Sequence, residues 1–190
     1  MTLKPILTFA HALLEEALLP EDIAVDCTMG NGHDTLFLAR LVGESGHVFA
    51  FDIQQAALEN TQKLLALHGM AGRVTTIKAS HANLADYIPP ETRQRIKAAV
   101  FNLGYLPGGD KSICTSPHST IQAIETLTEI LPSRGIIVLV VYPGHEEGET
   151  EAEQVLDYCK QLPQGAVNVV EYRILNNPNK TPFVIAIEKL

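Results

Sequence analysis

The chain has no tryptophan, only three cysteines, and fewer cations than anions. Each shortage excludes something. Cys27, Cys114 and Cys159 are odd in number and scattered, and no C-x-x-C pair exists, so neither a disulfide framework nor a zinc ribbon is expected. Cys27 reads as packing at the end of a buried strand. No run of about 18 apolar residues occurs, so no membrane span is expected. Residues Thr2 to His11 lack the charged region and small-residue cleavage site of a secretory signal, and the expected location is the cytoplasm. Fourteen Lys and Arg against 22 Asp and Glu give a net charge of −8. That weighs against non-specific nucleic-acid binding, which depends on neutralising phosphates. A local basic patch stays open, drawn from Lys78, Arg93, Arg95, Lys97, Lys111, Lys160, Arg173 and Lys180. Among seven histidines there is no H-x-x-x-H or H-x-H pair. No metal site is expected, although His118, His145 and Asp110 could lie near one another. No G-x-S-x-G nucleophile elbow, internal repeat or low-complexity segment is present.

What is present is an alternation of strands and helices. A length of 190 residues fits one domain, 1–190. Apolar residues at helical spacing predict a first helix over Leu3–Leu19, ended by Pro20. Strands are expected over Ile23–Cys27, His47–Ile53, Arg73–Ala79, Lys97–Leu103 and Gly135–Tyr142. Helices are expected over His33–Val42, Gln54–His68, from Ser119 as N-cap to Leu131, and over Thr150–Gln161. Two closing strands, Ala166–Leu175 and Pro182–Glu188, have no helix between them and suit a hairpin. The expected fold is α/β: a Rossmann-like, doubly wound, mostly parallel seven-stranded sheet with an antiparallel C-terminal hairpin.

The first strand runs into Asp26, then a turn with Gly30 and Gly32, then a helix. The second strand ends on Asp52. These are the parts of a nucleotide-binding βαβ unit, in which glycines let the backbone approach a ligand and the acid holds ribose hydroxyls. A dinucleotide fingerprint has a third glycine where this chain has Thr35, and Asp34 is a poor neighbour for a pyrophosphate. Asp26 and Asp34 instead suit a cofactor with positive groups. S-adenosylmethionine (SAM) carries a sulfonium, an amino group and one ribose diol for Asp52. The pattern resembles the first motif of the class I SAM-dependent methyltransferases, with Thr28 where that motif usually has its first glycine.

Three Gly- and Pro-rich segments fall at the carboxyl ends of the later strands: 102–111, 142–148 and 176–182. Asn102-Leu-Gly-Tyr105 resembles the Asn-Pro-Pro-Tyr motif of methyltransferases that act on amino nitrogens. There the Asn oxygen accepts from the target NH2 and the ring stacks on the base. An alkylamine must lose a proton before it attacks, and Asp110, Tyr142 and His145 are candidate bases or orienting groups. Tyr105 as a core aromatic and Asn102 as a turn residue is the competing view.

The long motifs Asp-x-Thr-x-Gly-Asn-Gly-His-Asp-Thr, Asn-Leu-Gly-Tyr-Leu-Pro-Gly-Gly-Asp-Lys and Tyr-Pro-Gly-His-x-Glu-Gly, with the closing Pro-Phe-x-Ile-x-Ile-Glu-Lys, resemble a small bacterial methyltransferase family. It was labelled rRNA methylase and is now associated with tRNA wobble-uridine modification, converting 5-aminomethyl-(2-thio)uridine to its methylaminomethyl form. The resemblance implies that Asp26, Gly30, Asn31, Gly32, His33, Asp34 and Thr35 surround the methionine end of SAM. It implies that Asp52 holds the ribose with Ile53 and Gln54 beside it. Ser80 and His81 fall at the adenine, and Asn102, Leu103 and Gly104 at the transfer centre. The implied partner is a tRNA anticodon region, held as an unstacked base by aromatic and basic residues; a homodimer stays open. An rRNA base or a small amine as substrate, a non-catalytic SAM-binding module and a dinucleotide oxidoreductase are the alternatives. Asp34 and the missing glycine count against the last.

Overall fold

The computed structural model describes residues 2–108, 114–144, 146–177 and 181–190. Strands are β1 (Ile23–Asp26), β2 (His47–Asp52), β3 (Val74–Lys78), β4 (Ile96–Leu103), β5 (Ile136–Val141), β6 (Val167–Tyr172) and β7 (Phe183–Lys189). Helices are α1 (Ile6–Ala17), α2 (His33–Leu41), α3 (Gln55–Leu67), the single turns α4 (Leu84–Tyr87) and α5 (Pro90–Arg93), then α6 (Pro117–Ile130) and α7 (Glu146–Gln161). All seven strands share one sheet in the order β3-β2-β1-β4-β5-β7-β6. β1 to β5 are parallel; β7 runs antiparallel to β5 and β6.

Strand periodicity sorts side chains onto two buried faces. One face carries the large residues Phe51, Phe101, Leu139 and Ile185, which pack with α6 and α7 through Ile124, Leu127 and Val155. The other carries smaller ones, Ala24, Ala98, Val138 and Ala186, beneath α1 (Ala10, Leu14) and α2 (Leu38, Ala39). Small residues let α1 lie close to the sheet, which brings its residues Leu7 and His11 to the ligand cleft. Enlarging one of these alanines would overpack the layer, a change that typically costs about 1–3 kcal/mol.

Most boundaries agree with the sequence to within a few residues. Three differ for physical reasons. α6 is capped by Ser116 rather than Ser119: Pro117 is preset for a first helical position, and Ser116 Oγ accepts from the Ser119 N–H at 3.3 Å. α7 starts at Glu146, four residues before the expected Thr150, so residues 146–148 are helix, while Tyr142 and Gly144 before it line the ligand cleft. Its first turn is acidic in sequence, which suits a helix N-terminus. β6 ends at Tyr172, short of Leu175, and Arg173 lies over the Phe183 ring at 3.8 Å.

Candidate active site

The strand order reverses between β1 and β4, and open α/β sheets bind ligands outside the carboxyl ends at such a point. A cavity of about 1040 Å³ opens there.

The turn after β1 closes on itself, with the Gly32 N–H on the Met29 carbonyl at 2.7 Å, and is held from outside by its neighbours. Asp52 accepts the Gly30 N–H at 3.0 Å on Oδ2 and the Gln54 N–H at 2.9 Å on Oδ1. Thr61 Oγ1 donates to the Gly30 carbonyl at 3.1 Å, and the Met29 N–H reaches the Phe51 carbonyl at 2.9 Å. A carboxylate has about four acceptor positions, so Asp52 still has two to offer a ribose diol. Gly32 has φ +85°, and a Cβ there would meet Thr61 Cα at 2.9 Å. Glycine is therefore required twice over, by conformation and by space.

The charge balance is one-sided. Asp34 and Asp52 line the cavity, and among the described residues no lysine or arginine does. Asp26 lies just behind the wall, accepting from Thr35 Oγ1 at 2.6 Å and from the Thr28 N–H at 3.1 Å. Burial, then the nearby Asp34, push its carboxyl up to about 7, against the lowering effect of those hydrogen bonds. Such a cleft favours a cation. His81 adds an acceptor. Its Nδ1 lies 2.8 Å from the Cys27 carbonyl oxygen, which can only accept, so Nδ1 carries the proton and Nε2 is left with a lone pair. Nε2 is buried with no hydrogen-bond partner among the described residues. Burial pushes the His81 pKa down, which keeps the ring neutral.

At the end of β4, the Asn102 N–H donates to Thr28 Oγ1 at 2.7 Å and its side-chain Nδ2 donates to Asp34 Oδ2. Asp34 Oδ1 lies 2.7 Å from His11 Nε2. The loop after Asn102 is pinned at its base. Gly104 N–H donates to Thr115 Oγ1 at 2.9 Å, the Thr115 N–H returns to the Gly104 carbonyl at 3.0 Å, and Tyr105 bridges Cys114. Thr115 and Thr120 both donate to the buried carboxylate of Glu151 on α7.

A family model described as "Putative rRNA methylase" matches residues 48–188. The chain belongs to this family. A crystal structure described as that of a "putative rRNA-methylase" from Clostridium thermocellum is 43% identical over the whole of both chains, with a TM-score of 0.96. A protein described as "a putative methyltransferase" from Streptococcus mutans, solved in complex with SAH, is 36% identical, also over the whole of both chains, with a TM-score of 0.89. A chloroplastic tRNA (mnm(5)s(2)U34)-methyltransferase from Arabidopsis thaliana is 37% identical over 177 residues, 89% of this chain. The chain spans 64% of that plant protein's length. The sheet order and closing hairpin are those of the class I methyltransferase fold, which this chain shares with the two solved structures.

Of the residues expected at the site, Gly30, Asn31, His33, Asp34, Asp52, Ile53, Gln54, Ser80, His81, Asn102, Leu103, Gly104, Tyr105 and Tyr142 line the cavity. Asp26, Gly32 and Thr35 do not; they support the wall from behind. Asn31 spends its amide on scaffolding, donating to the Pro107 carbonyl at 3.2 Å and accepting from Asn60 at 3.0 Å. Tyr142 is half-buried. Burial, and then Asp34, push its phenol up, so at neutral pH it is a hydroxyl that orients rather than a base. Asp110 and His145 lie outside the described residues. Sequence reasoning missed Leu7 and His11 on α1, and Thr115 and Ser116 before α6. The helical pattern of α1 gave no sign that one of its polar residues turns inward. The Gly/Pro content of 102–111 announced a special loop without saying that Thr115, beyond it, pins its base.

Proposed function

We propose that the chain is a SAM-dependent N-methyltransferase acting on the 5-aminomethyl group of (2-thio)uridine at the tRNA wobble position. The observation that carries this reading is the orientation of Asn102. Asp34 as a carboxylate only accepts, so Asn102 must turn Nδ2 toward it and keep Oδ1 as an acceptor in the cleft. An acceptor there suits a nucleophile that brings N–H bonds.

The residues present fit SAM. The acidic, cation-poor cleft suits its sulfonium and amino groups, Asp52 has acceptor capacity left for the ribose, and the orphan His81 Nε2 suits the adenine 6-amino group. When bound, SAM supplies an electrophilic methyl group on a sulfonium. The chain's own part is alignment: Asn102 Oδ1 holds the amine, and fixing a nucleophile in line contributes much of a transfer rate. Tyr105, exposed at the cavity wall, offers a ring for an unstacked uracil. The amine's proton leaves to solvent or to a base in the 102–111 or 142–148 segments, with Asp110 and His145 as the candidates. The identity of the plant relative and the family description support an RNA substrate. This reading assigns the anticodon region as partner and the cytoplasm as location, and allows a homodimer, which light scattering checks.

The test is nucleoside mass spectrometry after incubating the protein and SAM with tRNA that carries 5-aminomethyl-2-thiouridine. A gain of one methyl at that nucleoside, lost in Asp52→Ala, is expected. Methylation confined to rRNA or to free amines would replace the substrate, and failure to bind SAM would end the reading.

A further inference from the structure

The sequence pointed to Asn102 and Asp34; the structure adds a third member from a distant helix. His11 sits on α1, and its Nε2 lies 2.7 Å from Asp34 Oδ1. Asp34 is at the start of α2, and its other oxygen receives Asn102 Nδ2 from the end of β4. The His11 ring stacks on Phe37 with centroids 4.0 Å apart and planes 15° apart, which fixes its plane. The side chain of Asp34 is 14% exposed and that of His11 33%, so the contact is shielded from water more than a surface pair. His11 also lines the cavity.

Donor logic fixes the chain's direction. Asp34 as a carboxylate accepts from both sides, so His11 Nε2 must carry a hydrogen and Asn102 must present Nδ2. Without His11, Oδ1 of Asp34 loses its partner and the carboxylate is free to turn about its Cβ–Cγ bond. Asn102, still a donor to Asp34, then loses the fixed position that holds its Oδ1 toward the reacting nitrogen. An acceptor held there recognises an amine.

We infer that His11 is a positioning residue for the nucleophile: through Asp34 it locks Asn102 with Oδ1 facing the reacting nitrogen, and so sets the preference for an amine. The inference rests on the amine-methylation reading above. His11 need not touch substrate or cofactor for this.

The experiment compares His11→Ala and His11→Gln with the full-length wild type in two readouts. The first is steady-state methylation of tRNA carrying 5-aminomethyl-2-thiouridine, with SAM affinity measured separately by calorimetry. The second is the side-chain amide region of a ¹H–¹⁵N spectrum, in which the Asn102 pair is assigned by its loss in Asn102→Asp. Misplacing a reacting group should lower kcat by about tenfold or more in His11→Ala, with little change in SAM affinity. Gln, whose Nε2–H can reach Asp34, should restore most of it. The Asn102 amide protons should exchange with solvent faster in His11→Ala and return toward wild type in His11→Gln. A residue that merely staples α1 to α2 would lower thermal stability without moving the Asn102 signals. Unchanged amide exchange in a folded His11→Ala, or an unchanged kcat, overturns the inference. If the wild type methylates no amine, the function reading fails on its own, and the amide spectrum, which needs no substrate, still decides the hydrogen-bond chain.

Discussion

Replacing Asp26 by Asn should change how stability depends on pH far more than it changes the fold. The asparagine side chain can keep both local bonds: its oxygen accepts the Thr28 N–H, and its NH2 donates to Thr35 Oγ1, whose hydroxyl turns to accept. What changes is charge. The native carboxyl is raised from 3.8 to about 7, first by burial and then by Asp34. The native state therefore holds this proton more tightly than the unfolded chain does. The resulting stabilisation is fully present below the unfolded value and is lost as pH rises through about 7. A shift of about 3 units corresponds to about 4 kcal/mol. His47 and His81, both lowered by burial, shift stability the opposite way, weakening the fold as pH falls. They are common to both proteins and cancel in the difference. Urea unfolding of the ligand-free proteins from about pH 4 to about pH 8 measures it. Wild-type stability should fall relative to Asp26→Asn by about 4 kcal/mol across that span, and SAM should stabilise the wild type more than the variant at the alkaline end. Parallel curves for the two proteins would refute the claim that Asp26 is a buried acid ionised only near neutrality.

Two further outcomes follow from the geometry. Gly32→Ala combines a positive φ with a Cβ forced against the Thr61 backbone, so it should destabilise the protein by about 2 kcal/mol or more in chemical unfolding, whereas nearby Gly30, whose added Cβ would have no contact closer than 3.6 Å, should tolerate Ala better. His81→Phe removes the neutral Nε2 acceptor while keeping an aromatic ring beside Phe101. It should weaken S-adenosylhomocysteine binding by about tenfold in calorimetry, but should leave an analogue with oxygen in place of the 6-amino group unaffected or improved.

The parts of this site that could be read in the sequence are those whose chemistry is local. A strand ending on Asp26, a Gly turn and a second strand ending on Asp52 announce themselves by periodicity and spacing, and the topology follows from alternating element types. The closing hairpin is legible because no helix separates its strands. What stays hidden depends on tertiary packing. His11 looks like any polar position on an amphipathic helix until α1 crosses the sheet and faces α2. Thr61 constrains Gly32 from a distant helix through contact alone. The tautomer of His81 follows from the Cys27 carbonyl, which no motif encodes. The start of α7 is obscured because Gly144 and Gly148 read as loop, whereas the helix runs through the second of them.

We propose above that the cleft transfers a methyl group from SAM to an exocyclic amine nitrogen. Isotope-labelled methyl-SAM, the full-length protein and tRNA bearing 5-aminomethyl-2-thiouridine test it directly, with fragmentation of the product nucleoside locating the label. The label is expected on the aminomethyl nitrogen, with transfer strongly reduced in Asn102→Ala. Label on the ribose, the sulfur or a ring atom would contradict it.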